Sequence, residues 1–370
     1  MRIWFGRRVL AACSALLLVA APAASQPRGG ETQRSRPVPR QYVCYRSADT
    51  LRVDGRLGES AWQAAPWTAD FVDIQGATQP TPRFRTRTKM LWDEDYFYVA
   101  ARMEEPDLWA TLTRRDTVIY YDNDFEVFID PDGDTHNYYE LEVNAFETVW
   151  DLMLLKPYRD GGPAVDAWDI RGLKVAVQTD GTLNDPGDRD RGWTVEIALP
   201  WAVLEEAAPG GAPPDAGAQW RVNFSRVQWP LTVEGSTYRK RTDPDTGEPL
   251  PEDNWVWSPQ GAIDMHRPEK WGYVQFAETV AGRGKQAFRK RPNERVKNAL
   301  RELYYRQRRF REANGHYAWR LREIEASEIA VEGIESAPNV VNTGSGYVLS
   351  AEGFGGVTVY LRQDGHVWIE

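Results

Sequence analysis

Cysteine is nearly absent: the 370 residues contain two, Cys13 and Cys44. A disulfide framework is thereby excluded, and if the amino-terminal segment is removed Cys44 stands alone. Cys44 follows a Pro- and Arg-rich stretch (34–40) that reads as an exposed linker. It is expected as a small, partly buried apolar side chain rather than a reactive thiol, with no histidine near it in sequence. Histidine is scarce too, and the four at 136, 266, 316 and 366 have no zinc-ligand spacing, so no zinc is expected. Beyond residue 19 no apolar run is long enough to span a membrane. The 30 Gly and 24 Pro show no period, which excludes collagen-like and low-complexity chains, and 42% hydrophobic content excludes intrinsic disorder.

Aromatic residues are what the chain has in excess, with 16 Trp and 16 Tyr. Bulky rings suit a β-rich core, and they also suit platforms on which sugar rings stack. Charge is segregated: residues 281–322 hold fourteen Lys and Arg against Glu294, Glu302 and Glu312, whereas residues 41–280 sum to about −19. A basic segment beside an acidic body reads as internal docking or as a surface for a protein partner. No nucleic-acid motif accompanies it, so nucleic acid is not expected.

The chain opens with Arg2, Arg7 and Arg8, an apolar run over 9–19, and small residues over 20–25. This is the layout of a secretory signal peptide, with Ala23 and Ser25 at the −3 and −1 positions and a mature start near Gln26. Residues 10–13 mimic a lipoprotein box but lie too close to Arg8 to leave an apolar run before them. The expectation is an exported protein, periplasmic or extracellular, with a signal peptide over 1–25 and a linker over 26–45.

From 46 to 280 the pattern is short alternating runs broken by Asp, Gly and Pro turns. Phe97, Val99 and Ala101 share one face, as do Phe125, Val127 and Ile129; Tyr139, Leu141 and Val143; Trp193, Val195, Ile197 and Leu199; and Trp220, Val222 and Phe224. Period two with one apolar face predicts an all-β, antiparallel β-sandwich of two packed sheets. After a Gly-containing joint near 281–286 the period changes. Val296, Leu300, Leu303, Gln307 and Phe310 recur at helical spacing, with Asn314 and Gly315 as the stop. Short strands at 329–334, 347–351, 357–362 and 366–369 complete a small α+β carboxy-terminal domain over 285–370.

Five blocks then recur in a telling order: 53–62 (VDGRLGESAW), 90–99 (MLWDEDYFYV), 123–130 (NDFEVFID), 139–144 (YELEVN) and 192–201 (GWTVEIALPW). Together they resemble the family 9 carbohydrate-binding modules of xylanases and their stand-alone relatives, which share a DOMON-like β-sandwich. Residues 265–272 (MHRPEKWG) resemble the last-strand entry of those relatives. The resemblance covers about 230 residues and leaves out the carboxy-terminal 90. It implies sugar binding between two aromatic rings, with calcium bolstering the fold. The first ring falls on Tyr120 and the second at Met265, which is not aromatic. Glu126 and Asn144 keep polar positions, and Glu142 stands where the family has an arginine. Trp255, Trp257 or His266 is left to supply the second platform. Haem-carrying relatives of such sandwiches use Met and His ligands, but Met103, Met265 and His266 give no reason to expect haem.

Sugar recognition needs flat apolar faces and planar polar side chains. Tyr120, Tyr121, Trp255 and Trp257 with Glu126, Asn144 and Arg226 offer both, although the same rings would serve equally to fill a core. Asp130, Asp132 and Asp134 supply the oxygen density of a calcium site without the EF-hand spacing, and the alternative for them is a solvated hairpin loop. Strand-borne Glu126, Glu140, Glu142 and Glu196 leave a hydrolytic carboxylate pair conceivable. The expectation is a non-catalytic, exported carbohydrate-binding protein serving glycan recognition or carbohydrate catabolism. The alternatives are a secreted glycoside hydrolase acting on O-glycosyl bonds and an interaction module whose sugar site has decayed.

Overall fold

The computed structural model describes residues 37–326, 336–343 and 345–370. The signal-peptide segment, residues 26–36 of the expected linker and the strand expected at 329–334 lie outside them. The chain enters the body in β1 (Gln41–Arg46), not in a linker, and short β2 (Val72–Asp73) follows helix α1 (Ser60–Ala64). The alternating runs become β3 (Thr86–Trp92), β4 (Tyr96–Glu104), β5 (Asp124–Asp130), β6 (Tyr138–Asn144) and β7 (Val149–Leu154). After β8 (Ala164–Val165) come β9 (Lys174–Asp180), β10 (Gly192–Pro200), helix α2 (Trp201–Leu204) and β11 (Gln219–Gln228). A small hairpin, β12 (Leu231–Glu234) and β13 (Thr237–Lys240), leads to β14 (Asp253–Val256) and β15 (Gly272–Val280).

Thirteen of these strands pair into one hydrogen-bonded sheet in the order β8-β7-β6-β5-β11-β15-β1-β3-β4-β10-β9, with β14 on β11 and β2 on β14. The sheet folds over on itself. Val127, Val143 and Phe224 from one half share a core with Val99, Val195 and Ile197 from the other. Arg226 of β11 spans that core, its guanidinium donating to Thr86 Oγ1 of β3 at 2.9 Å and to the Glu104 carbonyl at the end of β4 at 2.9 Å. Gly272 explains one close approach: a Cβ there would come within 2.4 Å of the Trp257 ring.

Two features depart from a pair of antiparallel sheets. The halves are continuous through β15 and β1, and β1 runs parallel to both of its neighbours, β15 and β3. Cys44 lies on the inward face of β1 and is fully buried, which raises its thiol well above the ordinary range. Period two was too short over 41–46 to mark a strand.

The carboxy-terminal part is helix α3 (Asn293–Asn314) laid on a four-stranded sheet, β16 (Asn339–Asn342), β17 (Tyr347–Glu352), β18 (Thr358–Arg362) and β19 (Val367–Ile369). Val296, Leu300 and Leu303 bury against Leu349, Val359 and Leu361. Gly315, at φ 78°, ends α3 in the left-handed cap its N–H needs to reach the Arg311 carbonyl.

The other side of α3 meets the body through polar groups. Tyr304 donates to Asp160 at 2.6 Å, Arg308 pairs with Asp160 at 2.7 Å, and Glu294 accepts from Arg221 at 2.9 Å and Tyr273 at 2.7 Å. Tyr305 donates to Glu269, whose other oxygen takes Arg159 at 3.0 Å. No helix among the described residues is long and apolar enough to cross a membrane.

Candidate functional site

Alternation sends Phe125, Val127 and Ile129 of β5 into the core and Asp124, Glu126 and Phe128 to the opposite face. Register does the rest. Glu126 lies opposite Glu142 of β6 on one side and Ser225 of β11 on the other, and Glu142 lies opposite Trp150 of β7. That outward face is not open to water: every residue of β5 and β6 is buried. Loops cover it and leave a groove of about 560 Å³.

The groove has an acidic floor and aromatic walls. Glu126, Glu140, Glu142 and Phe128 form the floor; Tyr120 and Trp150 contribute rings; Tyr158, Met265 and His266 line it as well, with Glu252 and Asn254 at the margin. Tyr120 comes from the short turn Ile119–Tyr121, which is pinned twice. Its N–H donates to Glu142 Oε2 at 2.9 Å, and its carbonyl accepts the Trp229 indole N–H at 2.9 Å. His266 bonds the Tyr138 hydroxyl through Nδ1 at 3.0 Å, and Tyr158 meets its ring edge-on at 4.5 Å. Burial, reinforced by the nearby Arg159 charge, presses His266 down to about 4, so its ring is neutral near pH 7.

Electrostatically the floor has one sign. Burial lifts Glu126 to about 7, with Glu252 adding to the shift. Burial and the Glu126 charge raise Glu140 and Glu142 well above the ordinary range, and Asp124 beneath them is raised by the same two causes. Among the described residues no lysine or arginine lines the groove.

Of the residues singled out in the sequence, Tyr120 and Glu126 come together here, with Met265 and His266 facing the same space. Trp255, Trp257 and Arg226 do not. They lie on the inward face, where Trp257 packs on Phe224 at 5.8 Å and Arg226 sits over Trp255 at 5.2 Å while paired with Glu105 at 2.9 Å. Asn144 is fully buried and spends its amide on the β6–β7 turn. It donates to the Leu112 carbonyl and Asp122, and accepts from the Phe146 and Thr148 N–H groups. Trp150, Tyr158, Glu140 and Phe128 are the lining residues that sequence reading missed as ligand contacts: register across β5, β6 and β7 brings Glu140 and Trp150 to the face that Glu126 and Phe128 share, and the turn at Tyr158–Asp160 adds Tyr158.

Three carboxylate groups among the described residues are close enough to share a cation. Asp130, Asp132 and Asp134 form one, in the β5–β6 loop, where Asp130 also accepts the Gly133 and Thr135 N–H groups. These donors fit a hard cation, with Asp132 raised to about 6 by burial and by Asp134. Asp116, Asp151 and Asp169 form the second, already served by Arg115. Asp124, Glu126 and Glu142 form the third, at the groove floor.

Residues 53–213 match the model of the carbohydrate family 9 binding domain-like family. No curated protein matches the chain. Among solved structures, a family 9 carbohydrate-binding module from Caldicellulosiruptor kristjanssonii in complex with cellotriose aligns at 15% identity and TM-score 0.40, covering 67% of this chain and 100% of its own. The glucose complex of a family 9 module from the same organism aligns at 15% and 0.42, covering 67% and 99%. A candidate carbohydrate-binding protein from Bacteroides uniformis aligns at 14% and 0.47, covering 64% and 99%.

Proposed function

We propose, for a chain that is family 9 carbohydrate-binding-module-like over residues 53–213, that the groove under Tyr120 binds carbohydrate and that the protein works outside the cytoplasm in glycan recognition. The observation that carries this reading is an aromatic-walled, polar-floored groove of about 560 Å³, the size and chemistry a short oligosaccharide needs. Export rests on the Arg-led, apolar segment at residues 2–25. The reading is binding rather than hydrolysis because the family model that residues 53–213 match is that of a binding domain. For the Asp130–Asp132–Asp134 loop we propose a structural calcium ion.

Titrating cello-oligosaccharides against intrinsic tryptophan fluorescence tests the groove. Tyr120→Ala and Trp150→Ala should each weaken binding about tenfold, the equivalent of 1–2 kcal/mol of stacking. Trp257→Ala should instead lower the melting temperature, since its ring is core. Saturable binding that neither groove variant alters would move the site elsewhere.

A further inference from the structure

The geometry points to a hard divalent cation, calcium in character, bound at the groove floor by Asp124, Glu126 and Glu142. One oxygen from each carboxylate lies within 4.8 Å of the others. Oxygens bound to one calcium at 2.3–2.6 Å stand at most about 5.2 Å apart, so the three suit a single ion without rearrangement.

One further atom has no other use. Asp124 is fully buried; one of its oxygens accepts the Val227 N–H at 3.2 Å, and Oδ2 has no hydrogen-bond partner. Buried polar atoms are rarely left so in folded proteins, and a bound ion satisfies this one. Charge gives the same answer. The Asp116–Asp151–Asp169 group has Arg115 as counter-ion, whereas no described lysine or arginine lines the groove that Glu126 and Glu142 face. Such a cluster needs a cation from solution to be stable when ionised.

Glu126 and Glu142 line the groove, so the ion's remaining coordination positions open into it. Vicinal hydroxyls of a sugar can fill them, which would make glycan binding calcium-dependent; that last step rests on the carbohydrate reading.

Terbium, a luminescent calcium substitute, is the probe, because Trp150 and Tyr120 in the groove can sensitise it. Glu142→Gln and Glu126→Gln should weaken terbium binding by at least the roughly 10- to 100-fold that outer-shell changes alone produce, with Asp132→Asn separating the contribution of the β5–β6 loop. Melting curves check that each variant folds, and calcium should displace the probe. Terbium binding unchanged in both glutamate variants and lost in Asp132→Asn overturns the inference. Terbium held at the floor with no glycan bound under any condition sustains the ion site and fails the carbohydrate reading. Glycan bound equally well in calcium and in chelator, with no terbium at the floor, does the reverse.

Discussion

Arg226 shows how far a residue's type can mislead about its role. A planar, multidentate donor near aromatic rings looks like a sugar contact, yet it is fully buried and ties β11 to β3, β4 and Glu105 across the core. Removing one partner of a buried pair leaves the other charge unsolvated, so Arg226→Met should cost about 3–5 kcal/mol. Arg226→Met with Glu105→Leu should recover most of that, and urea unfolding of the two variants would show it. Trp255 and Trp257 misled for the same reason. Alternation says that two residues share a face, but not whether that face is the groove or the core; only the register of β14 on β11 decides it. Tyr120 and Glu126 could be put side by side in advance only through the family resemblance, which sets the first ring three residues before the block at 123–130.

At the scale of elements, the alternation of β4, β5, β6, β10 and β11 and the stop of α3 were legible, since periodicity and a Gly cap are local signals. Two-sided burial of β5 and β6 was not, because the covering loops come from distant sequence. That burial has a cost that can be read. A carboxyl whose folded pKa is raised destabilises the fold once the pH exceeds its ordinary value near 4.5. Glu142→Gln should therefore raise the melting temperature at pH 8 in chelator, and calcium should shrink the difference.

The docking of α3 has the opposite sign. Burial alone would raise Glu269, but Arg159, Arg301 and Arg267 with the Tyr305 hydroxyl hold it down to about 2. Its stabilisation is complete above about pH 4.5 and disappears as the pH falls toward 2. The stability gap between the native protein and Glu269→Gln should close over that window, as urea midpoints at successive pH values would reveal.

For the whole molecule, the apolar clusters of the sandwich and of the carboxy-terminal part are separate, and what joins them is mostly polar. A protein ending at Ala281 should still melt cooperatively, but at a lower temperature, because Arg159, Glu269 and Arg221 lose partners on α3. Calorimetry would test this, and a molten or insoluble product would make α3 part of the sandwich. The loss should also reach the groove. Arg159 donates to the His266 carbonyl as well as pairing with Glu269, so α3 braces one wall of the site from behind.

The parallel strand β1 carries a consequence in time. It is the first strand of the body to be synthesised, yet its long pairing begins with Gln41 opposite Tyr273, near the end of the body. Until that late partner arrives the two halves of the sheet have no continuous seam, and both of its neighbours, β1 and β11, present unpaired edges. Closure therefore cannot keep pace with synthesis, and a contact of such sequence separation is slow to form. A chain delivered amino terminus first would spend its longest vulnerable interval waiting for residues 272–280, when an exposed strand edge from another copy is its nearest competitor.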